Sequence, residues 1–251
     1  MTSTIHDSSP LAKPLKLPLS SIAEIAAEPV LVVAPHPDDE TLGCAGAIAL
    51  LRARGYTVQI LVVSDGAQSH PNSQKFPAPV LTALRAAETD RAMAILGVES
   101  DQITFLELPD GAVPHAEAPG FEAAVSACYT YLKTVTPKLV FAPWRSDPHP
   151  DHQATWQILT AALAQAVLSP RVLEYPIWDW DPQQRQLSSP DFQAAWRLDI
   201  AEVVTLKQQA ISAYCSQTTD LIDDDPTGFR LSAQMLENFA QSWEIYLERN
   251  P

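Results

Sequence analysis

The sequence predicts an α/β fold: a mostly parallel sheet with helices on both faces, built as a single domain over residues 1–251. Three observations predict it. Apolar runs of strand length recur along the chain, each closed by a turn cluster and followed by a longer segment of helical composition. That alternation is the signature of crossover units around a parallel sheet. The chain has 251 residues, 46% of them hydrophobic, which is enough to fill one large core.

Taken in order, residues Met1 to Ser20 are polar, proline-containing and aperiodic, and read as a mobile tail or a surface strap. Val30 to Ala34 is the first buried strand. Its helix, Leu42 to Arg54, stops at Gly55. Val58 to Val63 is the second strand, closing on Ser64-Asp65-Gly66. Ala67 to Val80, rich in Pro, Ser, Asn and Gln, is a long loop of the lid or binding type. Leu81 to Leu96 is an Ala-rich helix. Ile103 to Leu106 is a short strand ending at Pro109-Asp110-Gly111, followed by an irregular stretch, 112–119. Phe121 to Thr134 is helical, Leu139 to Ala142 a strand, Gln153 to Leu168 a helix and Arg171 to Tyr175 a strand. The pattern then changes. Trp178 and Trp180 alternate with aspartates, 182–195 is a polar loop, and Trp196 to Ile200 is an edge strand or hairpin arm. Ala201 to Tyr214 is helical, Asp220 to Gly228 an acidic loop, and Leu231 to Arg249 a closing amphipathic helix.

Charge narrows the function. Lys and Arg number 16 against 30 Asp and Glu, a net charge of −14 that disfavours nucleic acid and anionic membranes. No apolar stretch is long enough to span a bilayer, and no signal-peptide core follows Lys13 and Lys16, so a cytoplasmic location is expected. Cys44, Cys128 and Cys215 form no CxxC pair, so they read as small buried apolar residues.

Two clusters carry chemistry. Pro35-His36-Pro37-Asp38-Asp39-Glu40-Thr41 follows the first strand. Asp147-Pro148-His149-Pro150-Asp151-His152 follows the strand at 139–142. In an open parallel sheet, ligands bind at the carboxyl ends of strands. Either cluster alone is ordinary turn and cap chemistry. Together they fit one metal site assembled from both ends. His36, Asp39 and His152 form a two-histidine, one-carboxylate set suited to zinc, and iron(II) is accepted by the same ligands. Such a set keeps positions open, as catalytic sites do. Asp38, beside Asp39, then suits a general base. His149, as imidazolium, suits stabilisation of an oxyanion. Asp151 would hold the His149 ring and raise its pKa, and Asp147 would accept a hydrogen bond behind the ligands.

Pro35-His36-Pro37-Asp38-Asp39-Glu40 and His149-Pro150-Asp151-His152 resemble the two signature motifs of the PIG-L/LmbE-like zinc-dependent N-deacetylases. Weaker likenesses are Arg85-Ala86-Ala87-Glu88, Leu108-Pro109-Asp110-Gly111, and Lys207 through Ser216-Gln217, so the resemblance runs from about Val30 to Gln217. It implies a Rossmann-like α/β sandwich. It also implies a small-molecule amino-sugar substrate that loses an N-acyl, chiefly N-acetyl, group. In residue terms it implies His36, Asp39 and His152 as metal ligands, Asp38 as base and His149 as oxyanion stabiliser. Arg85 and Asp110 would touch sugar hydroxyls. Some family members carry a tyrosine near the second motif that helps bind the oxyanion; the sequence does not place one, and the nearby Trp144 carries no hydroxyl.

Plainer roles stand beside these. Arg85 and Glu88 have the spacing of a surface ion pair, Asp110-Gly111 that of an ordinary turn. Glu40 suits the helix dipole alone. Trp178 and Trp180 suit either a sugar face or the core. His70 is an exposed residue of the lid loop. Rival functions are an amidase acting on a mycothiol-like conjugate or an acylated antibiotic, and a non-catalytic sugar-binding module. A dinucleotide-dependent oxidoreductase is disfavoured, because the first turn lacks GxGxxG. The metal reading requires the imidazoles of His36 and His152 to come within about 5 Å, given bonds of about 2 Å to zinc. Oligomeric state is not legible.

Overall fold

The computed structural model describes residues 10–180 and 194–248. Eight strands form one sheet: β1 (Leu19–Ser20), β2 (Val30–Ala34), β3 (Val58–Ser64), β4 (Ile103–Leu108), β5 (Leu139–Pro143), β6 (Arg171–Tyr175), β7 (Ala194–Asp199) and β8 (Trp243–Glu248). Their spatial order is β1-β7-β8-β6-β5-β2-β3-β4. Every neighbouring pair is parallel except the two that β8 makes, with β6 and β7. The helices are α1 (Asp39–Ala53), α2 (Ala78–Ile95), α3 (Phe121–Val135), α4 (Pro150–Ala166), α5 (Val204–Ser212), α6 (Cys215–Thr218) and α7 (Ala233–Phe239). The predicted mostly parallel sheet with helices on both faces is therefore present.

Alternation along β2 sorts the core into two layers. Val30, Val32 and Ala34 pack with α1, Ile60 and Val62, whereas Leu31 and Val33 pack with Val63, α3 and α4. All five residues of β2 are buried, the pattern of a central strand covered on both faces. From β2 the chain moves outward through β3 to β4. It then returns to the other side of β2 to lay down β5 and β6. The order reverses between β2 and β5, and a crevice opens at the carboxyl ends of strands at such a switch point. Both clusters follow these two strands.

Two expectations change and one is narrowed. Residues 10–20 are a strap: Leu11 is buried with Trp144, Ile245 and Leu247, and β1 adds to β7. Residues 1–9 and 181–193, the latter holding most of the expected polar loop, lie outside the described residues. The edge role predicted for Trp196 to Ile200 falls to β1, and β7 lies inside it. Leu231 to Arg249 is not one helix. Only Ala233–Phe239 is helical, and Trp243–Glu248 is a strand wedged between β6 and β7. Trp-Glu-Ile-Tyr-Leu-Glu alternates with period two, but its two glutamates disguise an interior strand as an amphipathic helix end.

Glu244 explains why a charge is tolerated there. Its carboxylate accepts the Gly46 and Ala47 amides of α1 at 2.7 and 2.9 Å and the Tyr246 hydroxyl at 2.8 Å. Lys207 Nζ donates to Glu244 Oε1 and to the Leu42 carbonyl, both at 2.7 Å. The pair is almost wholly buried and ties α1, α5 and β8 together beneath the crevice. Removing one partner of a buried pair strands the other charge. Lys207→Met is therefore expected to lower unfolding stability by about 3–5 kcal/mol in urea titrations. A loss under about 1 kcal/mol would show that the pair does not anchor α1.

Candidate metal centre

The turn after β2 is built around Asp38, whose backbone adopts φ 125°, ψ −27°. A side chain is rarely accommodated at positive φ, at a cost of about 1–3 kcal/mol. The local bonds that hold it there are on either side. Its carbonyl accepts the Thr41 and Leu42 amides at 2.9 and 2.8 Å, and its amide donates to Glu40 Oε2 at 3.2 Å. The turn directs the neighbouring Asp39 carboxylate back over His36, whose amide donates to Asp39 Oδ2 at 2.9 Å. The turn after β5 is built around Asp147. Its Oδ1 accepts the His149 amide, and its Oδ2 accepts the amides of Ile177 and Trp178, each at 3.0 Å. His149 is the N-cap of α4, which puts His152 in the first turn of that helix, facing β2.

The two turns converge. His36 Nδ1 lies 3.1 Å and His152 Nε2 3.2 Å from one atom, Asp39 Oδ2. Ligand atoms of His36, Asp39 and His152 all lie within 4.8 Å of one another, inside the separation that the sequence reading required. Donors bonded at about 2.1 Å to one ion sit roughly 3.0–3.4 Å apart at octahedral to tetrahedral angles. The observed distances to Asp39 fall in that range. Neither nitrogen of the fully buried His152 ring makes a hydrogen bond. Nδ1 faces Asp147 Oδ1 at 3.4 Å without the alignment of one. Such an orphaned donor atom is costly unless something else occupies its lone pair. The residues fit a divalent cation between Nε2 and Asp39. A second set, His36, His149 and Asp151, also has metal-ligand spacing, but its carboxylate is already spoken for.

Asp151 departs from the expectation placed on it. Its carboxylate does not hold the His149 ring. Oδ2 accepts the Gly111 amide at 2.7 Å and meets His36 Nε2 at 3.0 Å, while Oδ1 accepts the Val113 amide at 3.2 Å. It is the backbone amide of Asp151 that reaches His149, donating to Nδ1 at 3.2 Å. Nδ1 is thereby an acceptor, so the neutral ring carries its proton on Nε2. Burial, with the His152 and His36 rings close by, pushes the His149 pKa down to about 4. The donor that His149 offers is a neutral Nε2–H, in place of the expected imidazolium.

Burial raises the Asp38 carboxyl to about 8, with Arg85 pulling against it and Asp39 and Glu40 adding to it. Burial alone would also raise Asp39, but His152 and His36 outweigh it and hold that carboxylate well below the usual range. Burial would lower His152; Asp39 and Asp147 outweigh it and push the ring up to about 9. One carboxylate of the adjacent pair is thus kept ionised among cations, and its neighbour is poised to exchange a proton.

Arg85 is not half of a surface pair. It is 3% exposed. It donates to the Pro37 carbonyl, to the Gly66 carbonyl at 3.1 Å and to Asp38 Oδ2 at 3.1 Å. Glu88, fully buried, accepts the amide and hydroxyl of Ser216. Asp110 Oδ1 sits 3.3 Å from His36 Nε2, and its Oδ2 accepts the Gln68 amide at 2.8 Å. Asp110 therefore orients a candidate ligand as well as lining the cavity. That cavity, about 240 Å³, is lined by His36, Asp38, Asp39, Arg85, Asp110 and His149, with Gln68, Ser69 and an apolar wall described below.

The sequence reading missed several residues. Glu40, assigned to the helix dipole, is fully buried and accepts bonds from the Tyr214 and Thr41 hydroxyls while holding the Asp38 amide. No local pattern announces a contact 174 residues apart. His70 is 1% exposed, with Nδ1 3.2 Å from Ser69 Oγ, so it is no exposed loop residue. The acidic loop clamps the lid loop. Asp224 accepts the amides of Gln74 and Lys75 and the Ser73 hydroxyl, and Asp225 accepts the Asn72 amide. Trp144 packs its side chain with Leu11 while its carbonyl accepts the Asp147 amide at 3.0 Å, and Trp178 stacks on His149 with ring centres 5.7 Å apart.

The chain is similar to known proteins in sequence and in fold. The chain is 27% identical over 192 residues to a probable N-acetyl-alpha-D-glucosaminyl L-malate deacetylase 2 of Bacillus anthracis, covering 75% of this chain and 80% of that protein. Its fold matches N,N'-diacetylchitobiose deacetylase from Pyrococcus horikoshii with a TM-score of 0.61 at 24% identity, over 77% of this chain and 72% of that one. It matches a 4-carboxy-2-hydroxymuconate hydratase from Pseudomonas putida equally well, with a TM-score of 0.60 at 21% identity, over 75% of this chain and 79% of the hydratase. Fold alone therefore does not choose the reaction. No helix among the described residues is long and apolar enough to cross a membrane. Residues 31–163, spanning β2 to α4 and both histidine clusters, match the family model described as PIG-L, GlcNAc-PI de-N-acetylase, and the chain belongs to that family.

Proposed function

We propose that the protein is a zinc-dependent hydrolase that removes an N-acyl group, chiefly acetyl, from an amino sugar of the N-acetylglucosamine type. The observation that supports this most is the meeting of His36 Nδ1 and His152 Nε2 on Asp39 Oδ2, with the raised carboxyl of Asp38 beside them. The relatives named for amide cleavage on acetylated sugars favour hydrolysis over hydration. Two imidazoles and one carboxylate suit zinc, and they accept iron(II). Zinc bound there supplies Lewis acidity, acidifying water and polarising a carbonyl.

The chain's own groups do the rest. Arg85 fixes Asp38 through Oδ2, leaving Oδ1 to take a proton from the attacking water as oxygen bonds to the amide carbon. The carbonyl π pair moves to oxygen, and the neutral Nε2–H of His149 donates to that oxyanion. When the pair returns, the carbon–nitrogen bond breaks, and Asp38 delivers its proton to the departing amine. The products are a free carboxylate and an amino sugar. A carboxyl whose pKa lies near ambient pH serves both transfers. Asp110 and Asp151 hold His36 from behind, and Asp147 faces His152, so both rings keep their orientation when loaded.

Zinc-loaded protein is expected to release acetate from N-acetylglucosamine derivatives. Asp38→Asn should lower kcat by about 10²–10⁴ while retaining one zinc per chain by elemental analysis; equal turnover would eliminate Asp38 as the base. His36→Ala and His152→Ala should each lose the metal and the activity together. Chelation should abolish turnover reversibly, with zinc restoring it, and persistence of full activity in a metal-free preparation would overturn the reading.

A further inference from the structure

We propose that the substrate carries an uncharged, apolar substituent on its amino sugar or acyl group, which packs on a wall formed by Trp178, Phe229, Leu231, Met235 and Phe239. This rests on the N-deacylase reading and narrows its substrate class. The lining of the cavity divides by origin. Its polar groups come from the turns after β2, β3, β4 and β5 and from Arg85 on α2. Its apolar groups come from Leu42, from 177–178 after β6, and from 229–239. Met235 and Phe239, four residues apart on α7, share one helix face, and Leu231 precedes them at the same spacing.

The wall is continuous with the reacting centre. Trp178 stacks on His149, and Phe229 lies against Trp178 with ring centres 5.3 Å apart. It is held from behind as well. The Phe229 amide donates to the Ser69 carbonyl at 2.6 Å, and the Leu231 amide to the Gln217 carbonyl at 2.9 Å. A preformed apolar surface binds without an ordering cost. Trp178, Phe229 and Met235 remain only half-buried, so an apolar group seated on them removes further surface from water.

Charge argues the same way. Among the described lining residues Arg85 is the one Lys or Arg, and its guanidinium is engaged by Pro37, Gly66 and Asp38. Asp38, Asp39 and Asp110 face the same space. Among the described lining residues, a carboxylate or phosphate on the substituent meets carboxylates and no unengaged Lys or Arg side chain. A hydroxyl-rich substituent leaves its donors unpaired against hydrocarbon.

Calorimetry on the zinc-loaded full chain tests this without turnover, using product-like probes. One arm compares the hexyl, methyl and malyl glycosides of glucosamine; the other compares hexanoate with acetate. The expected result is at least fivefold tighter binding of the six-carbon probe in one arm, which identifies the side the substituent occupies, and no gain for the malyl glycoside over methyl. Phe229→Ser and Met235→Gln, each checked for an unchanged circular dichroism spectrum, should reduce that gain below threefold. A gain under fivefold in both arms, or tighter binding of the malyl than of the hexyl glycoside, overturns the proposal. A parallel assay of carboxylate release from N-acetyl and N-hexanoyl glucosamine derivatives separates the two readings: hydrolysis of either without the gain refutes the wall alone, and the gain without hydrolysis of either refutes the deacylase reading alone.

Discussion

One carboxylate oxygen, Asp39 Oδ2, organises the molecule. It receives an amide from its own turn and two imidazoles, one from the same turn and one from a helix 113 residues further on. Three positive or donor groups on one buried oxygen are tolerable only if the two strands bearing them are neighbours. The sheet order makes them so: β2 and β5 are hydrogen-bonded, and the chain reverses its direction of travel across the sheet between them. Much of the polar scaffolding serves that one meeting. Asp147 welds the β5 turn to the segment after β6, Asp151 welds it to the β4 turn, and Lys207–Glu244 pins the body of α1.

The site concentrates features that oppose stability. Asp38 holds a positive φ, Asp38 and Asp39 are adjacent buried carboxylates, and His152 faces two carboxylates without an aligned hydrogen bond to either. None of these improves a fold. Their coincidence at one strand edge is the pattern of a region shaped by chemistry, with the all-buried strands below it supplying the rigidity. The strain at Asp38 also has a geometric use. With Asp38 turned aside, Asp39 can point at His152 while Asp38 points at Arg85, so two neighbouring carboxylates take different environments.

The central sheet and the convergence of the two motifs were legible because both signals are local. Apolar runs mark β2, β3, β5 and β6, and His-Pro-Asp clusters stand directly after two of them. What was not legible depends on distant pairing. Asp151 looked like a partner for the ring two residues away, yet its carboxylate is drawn to the amides of Gly111 and Val113 from the β4 turn. Arg85 and Glu88 have helical ion-pair spacing, but each is buried against a different segment. Trp243–Glu248 alternates with period two, but its glutamates suggest a solvated face, and only the distant Lys207 that matches Glu244 lets the strand lie inside the sheet.

The most direct test of the account is anomalous diffraction from crystals of the zinc-loaded protein at the zinc edge. One strong peak per chain is expected, bonded at about 2.0–2.2 Å to His36 Nδ1, an Asp39 oxygen and His152 Nε2. A peak held instead by His36, His149 and Asp151, or no ordered zinc in the crevice at all, would contradict it.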